Sequence, residues 1–274
     1  MAHQLAPMPR HSRPRFQPRH PFARGCIFAS LPGWPRGSTA SGRFGAFDDT
    51  KGRGMRGFWT LNNGPQQYQN WQAGPGVDNG DGVTSDSSFQ WDITPISTKY
   101  DISAFGMTAA VAIRPDVLAT STTIPFFKRR AQPYGATQPG WCFTAAASNK
   151  YQVRICDGTT EAAVTSTTTM STTRIDLVAF KYDGGTLRLF VNGVQEAATS
   201  ATFQVGNPAT EDIKVLGLGP ANETFSGFVD FAAVWNRPFS GQDMRTMVDR
   251  FAMWRERSQL RGALSAFQTF LLSF

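Results

Sequence analysis

The segment 175–196 constrains the fold more than any other part of this 274-residue sequence. Apolar and polar residues alternate along it, and it contains two hairpin signals, Asp183-Gly184 and Asn192-Gly193. Tight two-residue turns often need positive φ at both central positions, which Asn, Asp and Gly tolerate best. The segment therefore predicts an antiparallel meander of three strands joined by two tight turns.

A two-residue loop at Asp183-Gly184 fixes the expected pairing of the first two strands. It places Phe180 opposite Leu187 and Val178 opposite Leu189. Because side chains alternate across a strand, one face is apolar, and its members are Val178, Phe180, Leu187, Leu189 and Val191. The other face is expected to be half apolar and to carry Asp176, Leu177, Lys181, Arg188 and Phe190. A meander with one apolar face must lie on a second sheet, so a sandwich is expected.

A second segment, Phe225–Ser240, has the sequence FSGFVDFAAVWNRPFS. With Leu189–Val194 (LFVNGV) before it and Asp101–Pro115 earlier in the chain, it resembles the laminin-G/pentraxin branch of the concanavalin A-like lectin/glucanase superfamily. The resemblance extends over residues 100–250 and departs from the family pattern at Ala112, where an aromatic residue is usual. It implies a jelly-roll β-sandwich. It implies no single activity, because this fold carries lectins, hydrolases and inert scaffolds.

The expected fold class is all-β: a concanavalin A-like jelly-roll sandwich with an extended basic N-terminal arm and a C-terminal helix. We assign residues 1–21 to the arm, 22–239 to the sandwich, and 240–274 to the helix and an apolar tail. Ser240-Gly241-Gln242-Asp243 is a capping box that predicts the start of the helix. Its apolar stripe, which suits packing on the sandwich, comprises Met244, Met247, Val248, Phe251 and Trp254.

The positive charge of the chain is concentrated before Asp48. The net charge is +7, and the only charged residues in that stretch are Arg10, Arg13, Arg15, Arg19, Arg24, Arg36 and Arg43. Residues 1–21 also hold five prolines and all three histidines, which favours an extended segment. Such an arm either binds an acidic partner surface or is a passive leader. The residues expected to make its contacts are Arg10, Arg13, Arg15, Phe16, Arg19 and Phe22.

The C-terminal residues are apolar and nearly uncharged. They are expected either to pack on their own domain or to dock on a neighbour, through Phe267, Phe270, Leu271 and Phe274. No stretch is apolar over the ~18 residues that a membrane span requires, so no membrane contact is expected. The N-terminal residues also lack the apolar core of a secretory signal.

The residue types needed for common catalytic sites are missing from the expected sandwich. All three histidines lie in the arm, which excludes a Ser-His-Asp set in the sandwich. The five glutamates are isolated, and no two carboxylates stand at i and i+2, where a glycosidase of this fold would place its pair on one strand. We therefore predict a protein without enzymatic activity. Distant strands can still bring two carboxylates together, so a hydrolase remains an alternative.

The sequence suggests no firm metal or cofactor site. The loop Val77–Gly82 has carboxylates that could attract Ca²⁺. Its spacing departs from D-x-[DN]-x-[DN]-G, because Gly80 stands where an oxygen ligand should be, and a turn is the preferred interpretation. No cofactor is predicted, and Ca²⁺ binding, which some laminin-G relatives show, is not placed on any residue.

The predicted strands bring two of the three cysteines together. A hairpin centred on Asn149 would place Cys142 directly opposite Cys156, at a separation close to what a disulfide needs. Because the sequence suggests no secretion, we expect these thiols to be neighbours but reduced. Cys26 is expected to be a small buried apolar residue.

Three functional hypotheses follow. His20–Gly25 (HPFARG) resembles the lead-in to laminin-G-like domains of bacteriophage-encoded proteins, and so favours a structural virion protein made in the host cytoplasm. It would be a capsid decoration, head fibre or tail component that docks on partners such as the major capsid protein. A glycan-binding lectin is the second hypothesis, with Trp59, Tyr68, Trp71 or Trp141 stacking on sugars or, alternatively, filling the core. A hydrolase is the third. Self-association remains open, and nucleic acid is not an expected partner.

Overall fold

The computed structural model describes residues 24–30, 44–48, 54–61, 83–85, 89–93, 101–102, 106–115, 118, 123–129, 139–146, 148–203, 213–215 and 227–250. The strands in chain order are β1 (Cys26–Ser30), β2 (Phe44–Asp48), β3 (Gly54–Leu61), β4 (Val83–Ser85), β5 (Phe89–Ile93), β6 (Met107–Pro115), β7 (Thr123–Arg129), β8 (Gly140–Ala146), β9 (Lys150–Cys156), β10 (Glu161–Thr169), β11 (Asp176–Tyr182), β12 (Thr186–Val191), β13 (Val194–Ser200), β14 (Ile213–Val215) and β15 (Gly227–Trp235). Residues 241–250 form a helix, α1.

The strands form two antiparallel sheets that are continuous through β3. One sheet has the order β2-β1-β15-β6-β11-β12-β13, and the other has the order β10-β9-β8-β7-β14-β5. The first half of β3 pairs with β2 and its second half pairs with β5. The short strand β4 pairs with β15. The predicted all-β sandwich of the jelly-roll kind is confirmed. It is closed along one side by β3, while β10 and β13 are the terminal strands on the opposite side.

The core lies between the two sheets. Val178, Phe180, Leu187, Leu189 and Val191 are all buried in it, as predicted from their alternation. The Phe180 ring centroid lies 5.7 Å from that of Trp141 and 5.4 Å from that of Phe143, both on β8 of the facing sheet. Aromatic contacts of this kind join the two sheets over the centre of the sandwich.

The helix covers the outer face of the β11-containing sheet. Met244 and Met247 are buried there with Leu177 and Phe190, as predicted for a helix packed on the sandwich. The capping box is also confirmed, because the Ser240 hydroxyl accepts from the Asp243 amide at 3.1 Å and the Asp243 carboxylate accepts from the Ser240 amide at 2.9 Å. The predicted stripe residues Phe251 and Trp254 lie outside the described residues. No helix in the described ranges is both long and apolar enough to cross a bilayer.

The predicted register between β11 and β12 is wrong by two residues. Phe180 lies opposite Leu189, and Tyr182 lies opposite Leu187. The loop is therefore four residues long rather than two. Asp183 does not have positive φ; instead its carboxylate accepts from the Thr186 amide at 3.0 Å. The Asn192-Gly193 turn is as predicted, with φ values of 49° and 81°.

The hairpin of β8 and β9 differs from its predicted register by the same amount. Cys142 lies opposite Arg154, and Cys156 lies opposite Gly140. The connection consists of residues 147–149, and Asn149 adopts positive φ at its end, as three-residue hairpin loops often require. The two thiols therefore do not face each other, and all three cysteines are buried as reduced thiols, including Cys26, which was predicted to be buried.

The N-terminal arm (1–21) and the tail with Phe267, Phe270, Leu271 and Phe274 lie outside the described residues, so the division into arm, sandwich and tail stays a prediction. The loop Val77–Gly82 also lies outside them.

Candidate functional site

A buried carboxylate connects the two sheets at one end of the sandwich. Asp176 is fully buried at the start of β11. Its Oδ2 accepts from the Tyr151 hydroxyl at 2.7 Å and from Arg174 at 3.1 Å. Its Oδ1 accepts from Arg174 Nε at 2.6 Å and from Asn192 Nδ2 at 2.8 Å. Because Tyr151 belongs to β9 of the facing sheet, these bonds hold the sheets together rather than serve a ligand.

The prediction that Asp176 lies on the outer, half-apolar face is wrong. Asp176 is two residues before Val178 on the same strand, so it shares the face of Val178 and points between the sheets. Burial raises the pKa of Tyr151, and the Asp176 carboxylate raises it further. Tyr151 therefore keeps its proton and remains a donor to Asp176. Asn192 also accepts from the Leu177 amide at 2.9 Å, which fixes the β12–β13 turn against β11.

A row of polar side chains lies on the outer face of β9 and β10. This polar row consists of Lys150, Gln152, Arg154, Glu161, Thr165 and Thr169. Gln152 donates to Thr165 Oγ1 at 2.9 Å and accepts from Arg154 Nε at 2.7 Å. Arg154 also donates to Glu161 at 3.1 Å. The row is partly open to solvent, with the Arg154 side chain 26% exposed.

On the neighbouring strand β8, the side chains of this outer face are buried. Cys142 and Thr144 share the outer parity of Arg154 and Gln152, yet both are buried. The accessible part of this face therefore lies toward the β10 edge. There the row offers amide, hydroxyl, ammonium and guanidinium groups, which suit hydrogen bonding to a polar ligand.

The two terminal strands are held to each other by a glutamate. Glu196 lies between Gln195 and Ala197 on β13. It faces no residue of β12, because the register of the β12–β13 pair shifts at this point, as it does at a β-bulge. Its Oε2 accepts from the amides of Thr167 and Thr168, both at 2.9 Å, and its Oε1 accepts from the Thr168 hydroxyl. We call Glu196, Thr167 and Thr168 the edge clasp.

The structure describes few of the side chains that the sequence proposes for binding. Trp141 is fully buried among Phe126, Phe143 and Phe180, so its proposed stacking on a sugar is wrong and the alternative core position is correct. Trp59 lies in β3 opposite Trp91, and its side chain is outside the described part. The remaining candidates fall outside the described residues; they are Tyr68, Trp71, Arg10, Arg13, Arg15, Phe16, Arg19 and Phe22.

Three described carboxylates have pKa values shifted downward. For Asp183, Glu196 and Asp243, burial acts to raise the pKa, but hydrogen bonds outweigh it and lower the pKa below its ordinary value. The donors include Arg188 for Asp183 and the Thr168 hydroxyl for Glu196. Among the described residues, no group of three or more His, Cys, Asp or Glu side chains is placed to hold a metal ion.

Comparison with known families accounts for the sandwich. Residues 94–245 match the family model Laminin_G_3, described as the concanavalin A-like lectin/glucanases superfamily. The chain belongs to this superfamily. Within it, the match covers the sandwich from the approach to β6 through the first residues of α1. No curated protein matches the sequence.

Several solved structures share the fold of this chain but have low sequence identity to it. The binding domain of Paraclostridial Mosquitocidal Protein 1 is 12% identical with a TM-score of 0.57, covering 83% of this chain and 52% of that one. The binding domain of botulinum neurotoxin DC, in complex with rat synaptotagmin II, is 10% identical with a TM-score of 0.53, covering 82% and 52%. A Trypanosoma rangeli sialidase mutant is 11% identical with a TM-score of 0.53, covering 82% and 32%. The chain thus spans about half or less of these structures.

Proposed function

We propose that this chain is a non-catalytic, lectin-like binding module. The observation that carries this proposal is the use of the described carboxylates. Asp176 joins the two sheets, Glu196 holds the edge clasp, and Asp243 caps the helix. Glu161 pairs with Arg154, and Asp183 binds the Thr186 amide. Each of these acids has a structural partner, so none stands ready to act on a substrate.

The pKa shifts support the same proposal. A glycoside hydrolase needs a general acid that keeps its proton near neutral pH, and therefore a carboxyl with a raised pKa. Asp183, Glu196 and Asp243 have lowered pKa values and are ionised under such conditions. Ionised, hydrogen-bonded carboxylates stabilise a fold but cannot protonate a leaving group.

The ligand we propose for this module is a surface carbohydrate, bound on the polar row. Sugar hydroxyls are both donors and acceptors, and the row presents both types of group side by side, in Gln152, Arg154 and Thr165. Two of the solved structures that share this fold are named as binding domains, one of Paraclostridial Mosquitocidal Protein 1 and one of botulinum neurotoxin DC, and the second is in complex with rat synaptotagmin II. A protein receptor is therefore the outcome to distinguish from a glycan.

We predict that the full chain binds a subset of glycans on an array without releasing new reducing ends from the matching polysaccharide. Arg154→Ala should weaken binding about tenfold or more, because a hydrogen bond to a charged group contributes about 1.5–3 kcal/mol. The matched control is Arg188→Ala, since Arg188 is 27% exposed and also pairs with a carboxylate, Asp183, but lies on the other sheet. The control should bind as the wild type does.

Equal losses in both variants would contradict the assignment of the polar row, and turnover abolished by a carboxylate substitution would contradict the non-catalytic role. Failure to bind any glycan, together with capture of a protein receptor, would replace the carbohydrate with a protein ligand.

We further propose that the module is a structural component of a bacteriophage virion, docked by its N-terminal arm and apolar tail. The arm's arginines suit carboxylate or phosphate acceptors through their planar guanidinium groups. The chain leaving the arm is fixed where it enters the sandwich: the Arg24 carbonyl accepts from Arg237 Nε at 2.9 Å, and the Gly25 carbonyl accepts from the Asn236 amide at 2.8 Å. An anchored root of this kind would give the arm a defined starting point for docking.

We predict that a chain lacking residues 1–21 folds normally but no longer joins the particle, as measured by its copy number in purified virions. Replacing Arg10, Arg13, Arg15 and Arg19 with Gln should weaken docking and reduce its dependence on salt. Replacing the same four residues with Lys is the matched control, because it keeps the charge and should preserve the salt dependence. Full incorporation of the truncated chain would make the arm a passive leader.

A further inference from the structure

We propose that the edge clasp is a lock on self-association: while Glu196 holds β10, this strand cannot pair with a second copy of the chain, and when the clasp opens, β10 pairs antiparallel with β10 of that copy. The inference is independent of any ligand of the polar row. It rests on the position of the clasp, on the irregular pairing of both strands, and on the composition of β10.

The clasp lies where the two terminal strands, β10 and β13, approach each other. The two sheets are continuous through β3 on one side, whereas β10 and β13 are terminal in the described strand order on the other. A terminal strand presents unpaired amide and carbonyl groups that can template a further strand. Glu196 accepts from the amides of Thr167 and Thr168, and so occupies two donors that an added strand would need.

Both strands depart from regular pairing where they meet. In β13, Glu196 lies at the bulge. In β10, Thr165 pairs with Gln152 while Thr169 pairs with Lys150, so the segment between them has more residues than the facing part of β9. Bulges redirect side chains and interrupt edges. Here one bulge aims the Glu196 carboxylate and the other presents the amides that it binds.

The β10 irregularity is also fixed by bonds to the neighbouring strand β9 and within β10. The Ser166 hydroxyl accepts from the Tyr151 amide at 2.9 Å and donates to the Thr168 carbonyl at 2.8 Å. Lys150 donates to the Thr167 carbonyl and to Thr169 Oγ1. These bonds hold the amides of Thr167 and Thr168 in place whether or not Glu196 binds them. Opening the clasp therefore leaves a preformed edge rather than an unfolded strand.

The composition of β10 favours a second copy as the added strand. Threonine and valine favour strands, and β10 contains no proline or lysine to block pairing. Its one charged residue, Glu161, is neutralised by Arg154. When two β10 strands pair antiparallel about a two-fold axis, their identical edges face each other, and no like charges are brought together.

Acid is one condition that opens the clasp. The hydrogen bonds from Thr168 and Thr167 hold the pKa of Glu196 below its ordinary value, against the effect of burial. Its contribution to stability is therefore present above the pKa of the unfolded chain and is lost as the pH falls through the folded pKa. The charged and titratable groups on the surrounding strands are Lys150, Tyr151, Arg154 and Cys156 on β9, Glu161 at the start of β10, and Arg188 on β12, which pairs with Asp183.

The test compares the mass in solution of four full-length chains by light scattering at about pH 7 and about pH 3, above and below the ordinary pKa of a glutamate carboxyl. Wild type should gain mass toward the dimer as the pH falls. Glu196→Ala should already be shifted toward the dimer at neutral pH. Glu196→Gln keeps one acceptor but no titrating group, so its mass should not respond to acid. Asp183→Asn is the matched control, because hydrogen bonds also lower the pKa of this carboxyl but it lies between β11 and β12, and it should behave as wild type.

Amide hydrogen exchange at low protein concentration provides a second measurement. The amides of Thr167 and Thr168 should exchange about tenfold faster or more in Glu196→Ala, because each loses a hydrogen bond to a charged acceptor. If Glu196→Ala does not fold, wild type and Glu196→Gln decide the question by their different responses to acid. The proposal is overturned if Glu196→Ala keeps the wild-type mass, or if Asp183→Asn associates as strongly.

Discussion

Replacing Phe180 with alanine is expected to lower the free energy of unfolding by about 3–5 kcal/mol, the range for removing a buried aromatic ring. Phe180 is fully buried, and its ring contacts Trp141 and Phe143 of the facing sheet. The substitution therefore leaves a cavity in the layer that joins the sheets, where rigid rings limit collapse. Reversible denaturant unfolding with a constant m-value measures the loss.

Val194→Ala is the control for this measurement. Val194 is an exposed apolar residue at the start of β13, with 64% of its surface accessible. A surface substitution away from special features changes stability by about 0.5 kcal/mol or less. A loss below about 1 kcal/mol for Phe180→Ala would mean that the ring does not lie between the sheets.

Asp176→Ala is expected to cost about 2–4 kcal/mol, because a buried donor left without its acceptor costs about 1–3 kcal/mol and hydrogen bonds to a charged group contribute about 1.5–3 kcal/mol. The carboxylate accepts four hydrogen bonds, from Tyr151, Asn192 and two from Arg174. Its removal leaves the Tyr151 hydroxyl buried without its partner on β11 and frees the Asn192 turn from one of its bonds. Chemical denaturation gives the size of the loss, and proteolysis near the β12–β13 turn should report the local loosening.

Asp183→Ala is the matched control, since Asp183 directly follows the same strand but its side chain is 29% exposed and bound to Arg188. Exposed ion pairs contribute about 0–1 kcal/mol, so the control should cost far less. Similar losses for Asp176→Ala and Asp183→Ala would show that the Tyr151–Asp176 bond does not connect the sheets. Tyr151→Phe in both backgrounds then isolates the coupling between Tyr151 and Asp176 as a double-mutant cycle.

The sequence predicts which face of each strand is buried, but it does not predict the register in which neighbouring strands pair. Both hairpins, β8–β9 and β11–β12, are displaced by two residues from the predicted register. A displacement of two restores the same inside-outside alternation, so Phe180 and Leu189 are buried either way. The displacement comes from the loops: the Asp183 carboxylate binds the Thr186 amide and widens one turn. The helix was simpler to predict, because Ser240 and Asp243 cap it locally.

The polar contacts that carry the proposals were harder to anticipate. Strict alternation from Val178 places Asp176 between the sheets, so the position of Asp176 is predictable from the sequence. Glu196 gave no such signal, because a bulge in β13 directs it and a bulge depends on both strands. Trp141 could be a surface or core residue by type alone, and only the facing ring of Phe180 decides that it fills the core.

The pairing of β1 with β15 has a consequence for synthesis. Phe28 lies opposite Val234, and the buried strand β1 takes its place between β2 and β15 only when β15 is present. At about 5–20 residues per second, a ribosome needs on the order of ten to forty seconds to make the chain between them. During that interval the apolar residues Cys26, Ile27 and Phe28 have no β15 to cover them. The pairing of β1 with β15 therefore follows translation of nearly the whole sandwich. A chaperone that shields β1 on the nascent chain should raise the yield of folded protein.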